Sequence, residues 1–292
     1  MVRKKLSFYV FLIVLSIVVS STAMGMAGKV TSSAKRTFSF GWVSDTHIMT
    51  TVSTESCGDR ADRLKQVIKE MDNNPKIDFI VHSGDMIENT ANAKQYKAFN
   101  ELMKPVKPWY PIAGNHDVDN KPSLDKINLY LSQGYGRGEK KQDYYGFVHK
   151  SAVFFVINSQ SYASKDPVVQ KRAEDQLVEM DAFFTKYKNV PNKFVCAHAP
   201  IFIKSSNEAD EYFNIQSAYR KKIIDVMKRH QVKYYLCGHR HGNHEAADPD
   251  GSGITVLTQT ALSWGIGKGQ TTGYCIFTVS PEGLKKEYVE VK

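Results

Sequence analysis

Residues 38–47 read FSFGWVSDTH, an apolar run of β-strand type that ends in an aspartate and a histidine. Its branched and aromatic side chains predict a buried strand over 38–44, which Asp45 and His47 follow directly. Four more polar clusters directly follow an apolar run in the sequence. They are Gly-Asp at 84–85, Gly-Asn-His-Asp at 114–117, His198, and Gly-His-Arg-His at 238–241. Because α/β sheets gather ligand groups at the carboxyl ends of their strands, we expect these clusters to share one edge.

The rest of the chain alternates between strand-like and helix-like segments. Further β-type runs occupy residues 78–83, 109–113, 144–157, 193–197 and 232–237. Apolar residues have helical spacing at 60–73, 168–187 and 219–230, whereas 254–291 lacks it and predicts three strands. This order predicts an α/β fold with helices on both sides of its sheets, in a single catalytic domain over residues 37–292.

The polar clusters contain candidate metal ligands with oxygen and nitrogen donors: Asp45, His47, Asp85, Asn115, His198, His239 and His241. Such a set without thiolate suits divalent or trivalent first-row ions such as manganese, iron or zinc. One carboxylate can bridge two ions about 3.5–4 Å apart, and a water held between them becomes hydroxide near neutral pH. Gly84, Gly114 and Gly238 permit sharp turns that aim the next side chain over the sheet edge.

Taken in order, these motifs resemble those of the calcineurin-like metallophosphoesterases, from Phe40 to His241 and into the β-rich tail. Within that superfamily the chain is more similar to the bacterial cyclic-nucleotide phosphodiesterase-like and general phosphatase branches. The resemblance implies a four-layer α/β/β/α sandwich of two mixed sheets. It also implies a dinuclear metal site at the strand carboxyl ends.

The same resemblance implies a role for each residue of the clusters. The ligands of the first metal would be Asp45, His47 and His241, and those of the second Asn115, His198 and His239. Asp85 is expected to bridge the two ions. His116 is expected to face the leaving group, with Asp117 orienting its ring. Purple acid phosphatases look similar but carry a tyrosine three residues after the bridging aspartate, where this chain has Glu88, so we expect no tyrosinate-to-iron colour.

These roles imply hydrolysis of small phosphomonoesters or phosphodiesters by a metal-bound hydroxide, with His116 stabilising or protonating the leaving group. One alternative is an extracellular nuclease of the same superfamily, which would need a basic groove interleaved with aromatic residues. The net charge is +9, and losing residues 1–27 removes three of 39 basic residues and no acidic ones, leaving about +6 with no visible basic stripe. Nucleic acid is therefore not favoured. A non-catalytic metal-containing binding protein is a further alternative, but it would be expected to lack a ligand or His116.

The N-terminus predicts export. Three basic residues at 3–5, an apolar run over 8–19 and small residues up to 27 indicate a signal peptide over residues 1–27. The apolar run is shorter than the roughly 20 residues of a membrane span, although an uncleaved N-terminal anchor is the alternative. We expect a secreted, periplasmic or envelope-associated protein with no stable membrane span after cleavage, and the sequence leaves its oligomeric state open.

Several residues near the motifs have more than one interpretation. His82 is expected to be a core residue or a support for the ligands. Trp264 would either stack on a substrate ring or serve only in packing. Cys196, Cys237 and Cys275 lie in strand-like runs and are expected to be buried thiols, with a Cys196–Cys237 disulfide as the alternative. Cys57 is expected in a loop.

Overall fold

The computed structural model describes residues 37–50 and 55–292. The predicted signal peptide over 1–27 and the side chain of Cys57 lie outside this described part of the chain. No helix within the two ranges has the length and the hydropathy that crossing a bilayer requires.

The described residues form two mixed β-sheets. In chain order the strands are β1 (Phe38–Val43), β2 (Ile77–His82), β3 (Trp109–Pro111), β4 (Tyr145–His149), β5 (Ala152–Val156), β6 (Asn192–Cys196), β7 (Tyr234–Cys237), β8 (His244–Ala247), β9 (Thr255–Thr258), β10 (Gly273–Ser280) and β11 (Gly283–Glu290). The first sheet has the order β11-β10-β1-β2-β3, with β1, β2 and β3 parallel and β10 antiparallel to both of its neighbours. The second has the order β4-β5-β6-β7-β9-β8, with parallel inner strands and an antiparallel strand at each edge.

Helices cover the outer face of each sheet. They are α1 (Glu55–Asn73), α2 (Ala93–Leu102), α3 (Asn115–Val118), α4 (Leu124–Tyr130), α5 (Pro167–Lys186) and α6 (Ser217–Arg229), with a π turn at Leu131–Tyr135 and a 3-10 turn at Ser159–Ala163. Leu64 of α1 and Phe99 of α2 share a buried cluster with Ile80 of the first sheet. On the second sheet, helices α5 and α6 pack in the same way against buried side chains of β5, β6 and β7.

The two sheets pack face to face through a core of aromatic residues. Phe40 of β1 stacks on Phe79 of β2, with ring centroids 5.0 Å apart, and meets Phe154 of β5 edge-on at 5.4 Å. Because alternate residues of β1 face this core and the helix layer, the strand is buried on both sides. The predicted four-layer α/β/β/α sandwich is confirmed.

Some local predictions are wrong. The run at 144–157 is a hairpin, because the chain turns at Lys150, where φ is +48°, so that β4 pairs antiparallel with β5. Position 57 lies within α1 and not in a loop. Cys196, Cys237 and Cys275 are buried free thiols, as expected, so the alternative Cys196–Cys237 disulfide is not formed.

Candidate metal centre

All seven predicted ligands lie within four residues of the end of a strand, after β1, β2, β3, β6 or β7. The first three strands are parallel neighbours in one sheet, and β6 and β7 are parallel neighbours in the other. Sheet packing brings both sets of carboxyl ends to one rim, where every one of the seven side chains is buried. The structure therefore brings together all the residues that the motifs singled out as ligands.

The first ligand group consists of Asp45, His47 and His241, whose donor atoms all lie within 4.8 Å of one another. The Nε2 atom of His241 lies 3.2 Å from Nε2 of His47 and 3.3 Å from Oδ1 of Asp45. Three donors of two chemical types thus converge on one buried point, as a cation site requires.

The second ligand group consists of Asn115, His198 and His239. The Nε2 atom of His198 lies 3.0 Å from Oδ1 of Asn115 and 3.0 Å from Nδ1 of His239. Asp85 stands between the two groups, because its Oδ2 atom is 3.2 Å from His198 Nε2 and 3.7 Å from His47 Nε2. A single carboxylate therefore faces both groups.

In three of the four imidazoles, the nitrogen that faces away from the centre donates to a backbone carbonyl. The acceptors are the carbonyl oxygens of Ser83 for His198 (2.8 Å), Trp264 for His241 (2.9 Å) and Tyr212 for His239 (3.4 Å), whereas Nδ1 of His47 lies 3.3 Å from the carboxylate of Glu88 without a hydrogen bond to it. With a hydrogen on that outer nitrogen, the inner nitrogen presents a lone pair to the centre. Two inner ring nitrogens face each other in each ligand group, an arrangement that a cation between them would stabilise.

The charge of the two carboxylates also fits a site for metal cations. Burial by itself would raise the pKa of Asp45 and of Asp85, but the positive charge that His241 and His198 carry in their protonated forms holds both pKa values well below their usual range. Both carboxylates are therefore ionised. Two buried negative charges among four imidazoles are a donor set that fits divalent or trivalent metal ions.

The backbone around the ligands is strained. Five of the seven ligands have positive φ angles: Asp45 (53°), His47 (47°), Asp85 (53°), His239 (70°) and His241 (48°). Residues with a side chain rarely adopt this left-handed conformation, and its concentration at one place is typical of functional sites. It turns the chain sharply enough for consecutive loops to aim side chains at the same point.

The glycines before the ligands act in two different ways. Gly84 has a φ of +98°, which agrees with the predicted sharp turn. Gly114 and Gly238 are needed instead for space: a Cβ atom would lie 2.2 Å from Oδ1 of Asp85 in the first case and 1.9 Å from Oγ of Ser44 in the second.

We expect Gly84→Ala to weaken metal binding and to lower the free energy of unfolding. Its Cβ would lie 2.7 Å from Nδ1 of His198, so the ligand must shift, at a cost of about 1–3 kcal/mol beyond the backbone strain. Gly251→Ala is a matched control, since φ is +82° there and no atom of the described residues lies within 4 Å of the added Cβ. Denaturant unfolding and metal titration would compare the two, and equal effects would contradict the prediction.

His116 lies at the rim of the centre, in the first turn of α3. Its ring Nδ1 donates to the carbonyl of Glu88 at 2.5 Å, and its ring meets that of His47 edge-on at 4.6 Å. His116 also forms a third group of donor atoms with His47 and Asp85 within 4.8 Å, so position alone does not separate it from the ligands. His116 is partly exposed, whereas the seven candidate ligands are all buried.

The predicted contact of Asp117 with the His116 ring is wrong in this structure. The carboxylate of Asp117 is buried and accepts hydrogen bonds from the backbone N–H groups of Met86 (3.0 Å) and Gly114 (2.8 Å). Successive residues of a helix point about 100° apart, so Asp117 faces inward when His116 faces the rim. Asp117 therefore fastens the loop of Asp85 to the loop of Asn115, and burial together with the charge of Asp85 raises its pKa to about 7.

Sequence reasoning missed Arg60, which no motif marks. Its Nη1 atom donates to the carboxylate of Glu88 at 2.9 Å and to the carbonyl of His47 at 3.0 Å. The guanidinium also covers the ring of Trp264 at 4.7 Å, and Trp264 in turn lies 4.5 Å from the ring of His241. These neighbours cover part of the Trp264 ring, but the side chain is still 37% exposed, so the structure is compatible with both packing and stacking on a substrate ring.

His82 is a buried support for the loops, within the expectation for it. Its Nε2 atom donates to Oγ of Thr46 at 3.1 Å, and its Nδ1 atom accepts from the N–H of Gly84 at 3.3 Å. Burial lowers its pKa to about 3, so the ring is neutral. It thereby links the turn after β1 to the turn after β2.

Comparison with known proteins places this geometry among phosphoester hydrolases. A model of the calcineurin-like phosphoesterase family matches residues 38–247. The serine/threonine-protein phosphatase CPPED1 of Rattus norvegicus is 27% identical over 258 residues, which cover 82% of this chain and 79% of the relative. The protein of the same name from Homo sapiens is 26% identical, covering 81% of this chain and 77% of the relative.

Two solved structures share the fold at low identity. GAP50, described as the anchor in the inner membrane complex of Plasmodium, has a TM-score of 0.61 at 16% identity and covers 87% of this chain and 84% of its own. Purple acid phosphatase PPD1 from yellow lupin (Lupinus luteus) seeds has a TM-score of 0.58 at 16% identity and covers 87% of this chain and 51% of its own. At this identity, the likeness concerns the fold alone.

Proposed function

The chain belongs to the calcineurin-like phosphoesterase family and is a metal-dependent phosphoesterase, and from this premise we propose that it hydrolyses phosphomonoesters at a pair of metal ions. The position of Asp85 between the two ligand groups supports a pair of metal ions. Its Oδ2 atom is 3.2 Å from His198 and 3.7 Å from His47, so it faces the inner nitrogens of both ligand groups. A lone ion would need only one of these groups.

In this proposal the chain's residues divide into holders of the metals and a donor of a proton. The first ligand group would hold one ion, the second would hold the other, and Asp85 would face both. When bound, such ions activate a water molecule and neutralise the charge of the phosphoryl oxygens. We leave the identity of the metals open among manganese, iron and zinc, since the mixed oxygen and nitrogen set suits each of them.

In this proposal His116 serves the leaving group. Its Nδ1–H is committed to the carbonyl of Glu88, so its Nε2 atom is left to carry the proton that a leaving alkoxide needs. The contact with the carbonyl also fixes the orientation of the ring, and Arg60 fixes Glu88 in turn. Arg60 thus positions Glu88, and Glu88 in turn positions the ring of His116.

Phosphomonoesters are the favoured substrates because the relatives that cover most of the chain are named serine/threonine-protein phosphatases. We test this with p-nitrophenyl phosphate and bis-p-nitrophenyl phosphate, each with added Mn²⁺, Zn²⁺ or Fe²⁺. We expect turnover of the monoester to need metal, to stop on chelation and to exceed that of the diester by at least about tenfold. Two ions per chain should be bound at full activity. Preference for the diester, or full activity with one ion, would contradict the proposal.

A further inference from the structure

A buried arginine holds the loop between β6 and α6 in place through several hydrogen bonds. Arg220 of α6 is 1% exposed, and its Nη1 atom donates to the carbonyl of Glu208 at 2.5 Å. Its Nε and Nη2 atoms both donate to the carbonyl of Ile215, at 3.1 and 3.0 Å. The carboxylate of Glu208 in turn accepts from the N–H groups of Ile203 (2.6 Å) and Lys204 (2.7 Å). A loop fastened at so many points is preorganised.

This loop presents Tyr212 to the metal centre. The carbonyl of Tyr212 accepts from Nε2 of His239 at 3.4 Å, and its hydroxyl accepts from Nδ2 of Asn115 at 3.3 Å. Tyr212 therefore contacts two residues of the second ligand group. Its ring lies 5.1 Å from that of His239 and is nevertheless 61% exposed. A large exposed aromatic side chain on a preorganised loop is typical of a binding surface.

A cavity of about 340 Å³ opens beside Tyr212 and His239. This volume falls within the range of roughly 300–1,000 Å³ that is usual for ligand pockets. Its apolar part comes from side chains such as Ala199 and Ile215, and its polar part includes the side-chain amide of Gln160. The cavity thus continues the metal centre on the side of the second ligand group.

The charges of the cavity indicate the kind of ligand. Lys121 and Glu211 both line it, and neither forms an ion pair with another described residue. One positive and one negative charge leave no net attraction for a polyanion such as a nucleic acid, which needs clustered basic residues. Asn120 and Gln216 add exposed side-chain amides, each with donors and an acceptor, as the backbone of a peptide also has.

We propose that this cavity binds the polypeptide on either side of a phosphorylated side chain, with Tyr212 as its specificity-determining wall. The inference rests on the proposed function, since it assigns the leaving alcohol of that reaction to a protein. The ring of Tyr212 would supply apolar contact beside the phosphoryl group, and the amides and the two opposite charges would meet the neutral or mixed-charge chain beyond it.

The test is a binding measurement that needs no turnover. The full chain is loaded with Mn²⁺ and titrated calorimetrically with two probes: a pentapeptide whose central residue carries a non-hydrolysable phosphonate, and propylphosphonate without a peptide. We expect the wild type to bind the peptide at least about tenfold more tightly. Tyr212→Ala should reduce this ratio of affinities by about tenfold, whereas Tyr212→Phe, which loses only the contact with Asn115, should retain it. Val178→Ala, 68% exposed on α5, is the control and should leave the ratio unchanged.

Several outcomes would overturn the inference. Equal affinities of the two probes in the wild type, or an equal loss of both in Tyr212→Ala, would show that the cavity does not select peptides. Tighter binding of a nucleoside phosphonate than of the peptide, with the same dependence on Tyr212, would show a nucleotide subsite instead. Failure of the proposed function is separate, because it would appear as no hydrolysis of any monoester by the wild type with any metal.

Discussion

Asp85→Asn is expected to lower turnover by at least about a thousandfold and to reduce the bound metal from two ions to at most one. Loss of a partner that only supports a metal ligand typically costs about 10–100-fold, and Asp85 faces both ligand groups directly. Its Oδ2 atom lies 3.2 Å from His198 Nε2 and 3.7 Å from His47 Nε2. In the asparagine variant, an amide nitrogen or a neutral oxygen would stand there without the negative charge that draws two cations together.

The asparagine variant keeps the local fold intact for this comparison. The Oδ1 atom of Asp85 accepts from the backbone N–H of His116 at 2.8 Å, and the oxygen of an asparagine can retain that contact. A change in metal content would then reflect the lost charge and not a displaced loop.

Asp78→Asn is the matched control, because Asp78 lies in the same strand, β2, near its opposite end. Its carboxylate pairs with His149 at 2.8 Å and Lys150 at 2.5 Å, and such partly exposed pairs contribute about 0–1 kcal/mol. We expect the Asp78 variant to keep both metals and wild-type turnover. Metal analysis by mass spectrometry and kinetics on p-nitrophenyl phosphate measure both quantities, and an Asp85 variant with two ions and full rate would refute the assignment of Asp85.

The convergence of the candidate ligands was predictable because each of them follows the end of a strand, and the fold brings these strand ends together. Each cluster follows a buried apolar run in the sequence, as Asp45 and His47 follow β1. Parallel strands place their carboxyl ends on one edge, so no knowledge of the sheet order was needed to expect the clusters to meet. The architecture followed from the same alternation of strands and helices and from the family resemblance.

Elements with a weak local signal were not predicted. Strand β8, with the sequence HEAA, has no β-branched residue and exists through its antiparallel pairing with β9. Helix α2 has only ten residues, and a few side chains such as Tyr96 and Phe99 bury its inner face. Helix α3 is a single turn of four residues, and most of them belong to the Gly-Asn-His-Asp cluster, which predicted metal ligands and not a helix.

The contacts around the site were unpredictable for another reason: they join residues that are far apart in the chain. Arg60 meets Glu88 only after α1 has packed on the first sheet, and Tyr212 meets Asn115 only after both sheets have packed. Glu88 was noticed as the residue in place of a tyrosine, but its carboxylate and its carbonyl act on two different histidines, His47 and His116. A family motif identifies which residues gather, while the hydrogen bonds between them depend on the packed structure.

His116→Ala is expected to lower turnover by about a hundredfold to ten-thousandfold while both metals stay bound. The seven assigned ligands remain in this variant, and the backbone N–H that contacts Asp85 at 2.8 Å is retained. Only the ring is lost, with its Nδ1 held by the carbonyl of Glu88 and its Nε2 available to the leaving group. Metal content therefore separates a proton donor from a ligand, which matters because His116 also lies within 4.8 Å of donors from His47 and Asp85.

The dependence on the leaving group gives the sharper measurement. A nitrophenolate leaves readily without a proton, whereas the alkoxide of a serine needs one, so the His116 variant should lose more turnover on a phosphoserine peptide than on p-nitrophenyl phosphate. His149→Ala is the control, since that histidine pairs with Asp78 at the amino end of β2 and should affect neither substrate. An equal loss on both substrates would show that His116 binds the phosphoryl group without donating a proton. Loss of one metal would show that it is a ligand, and the proton for the leaving group would then have to come from solvent.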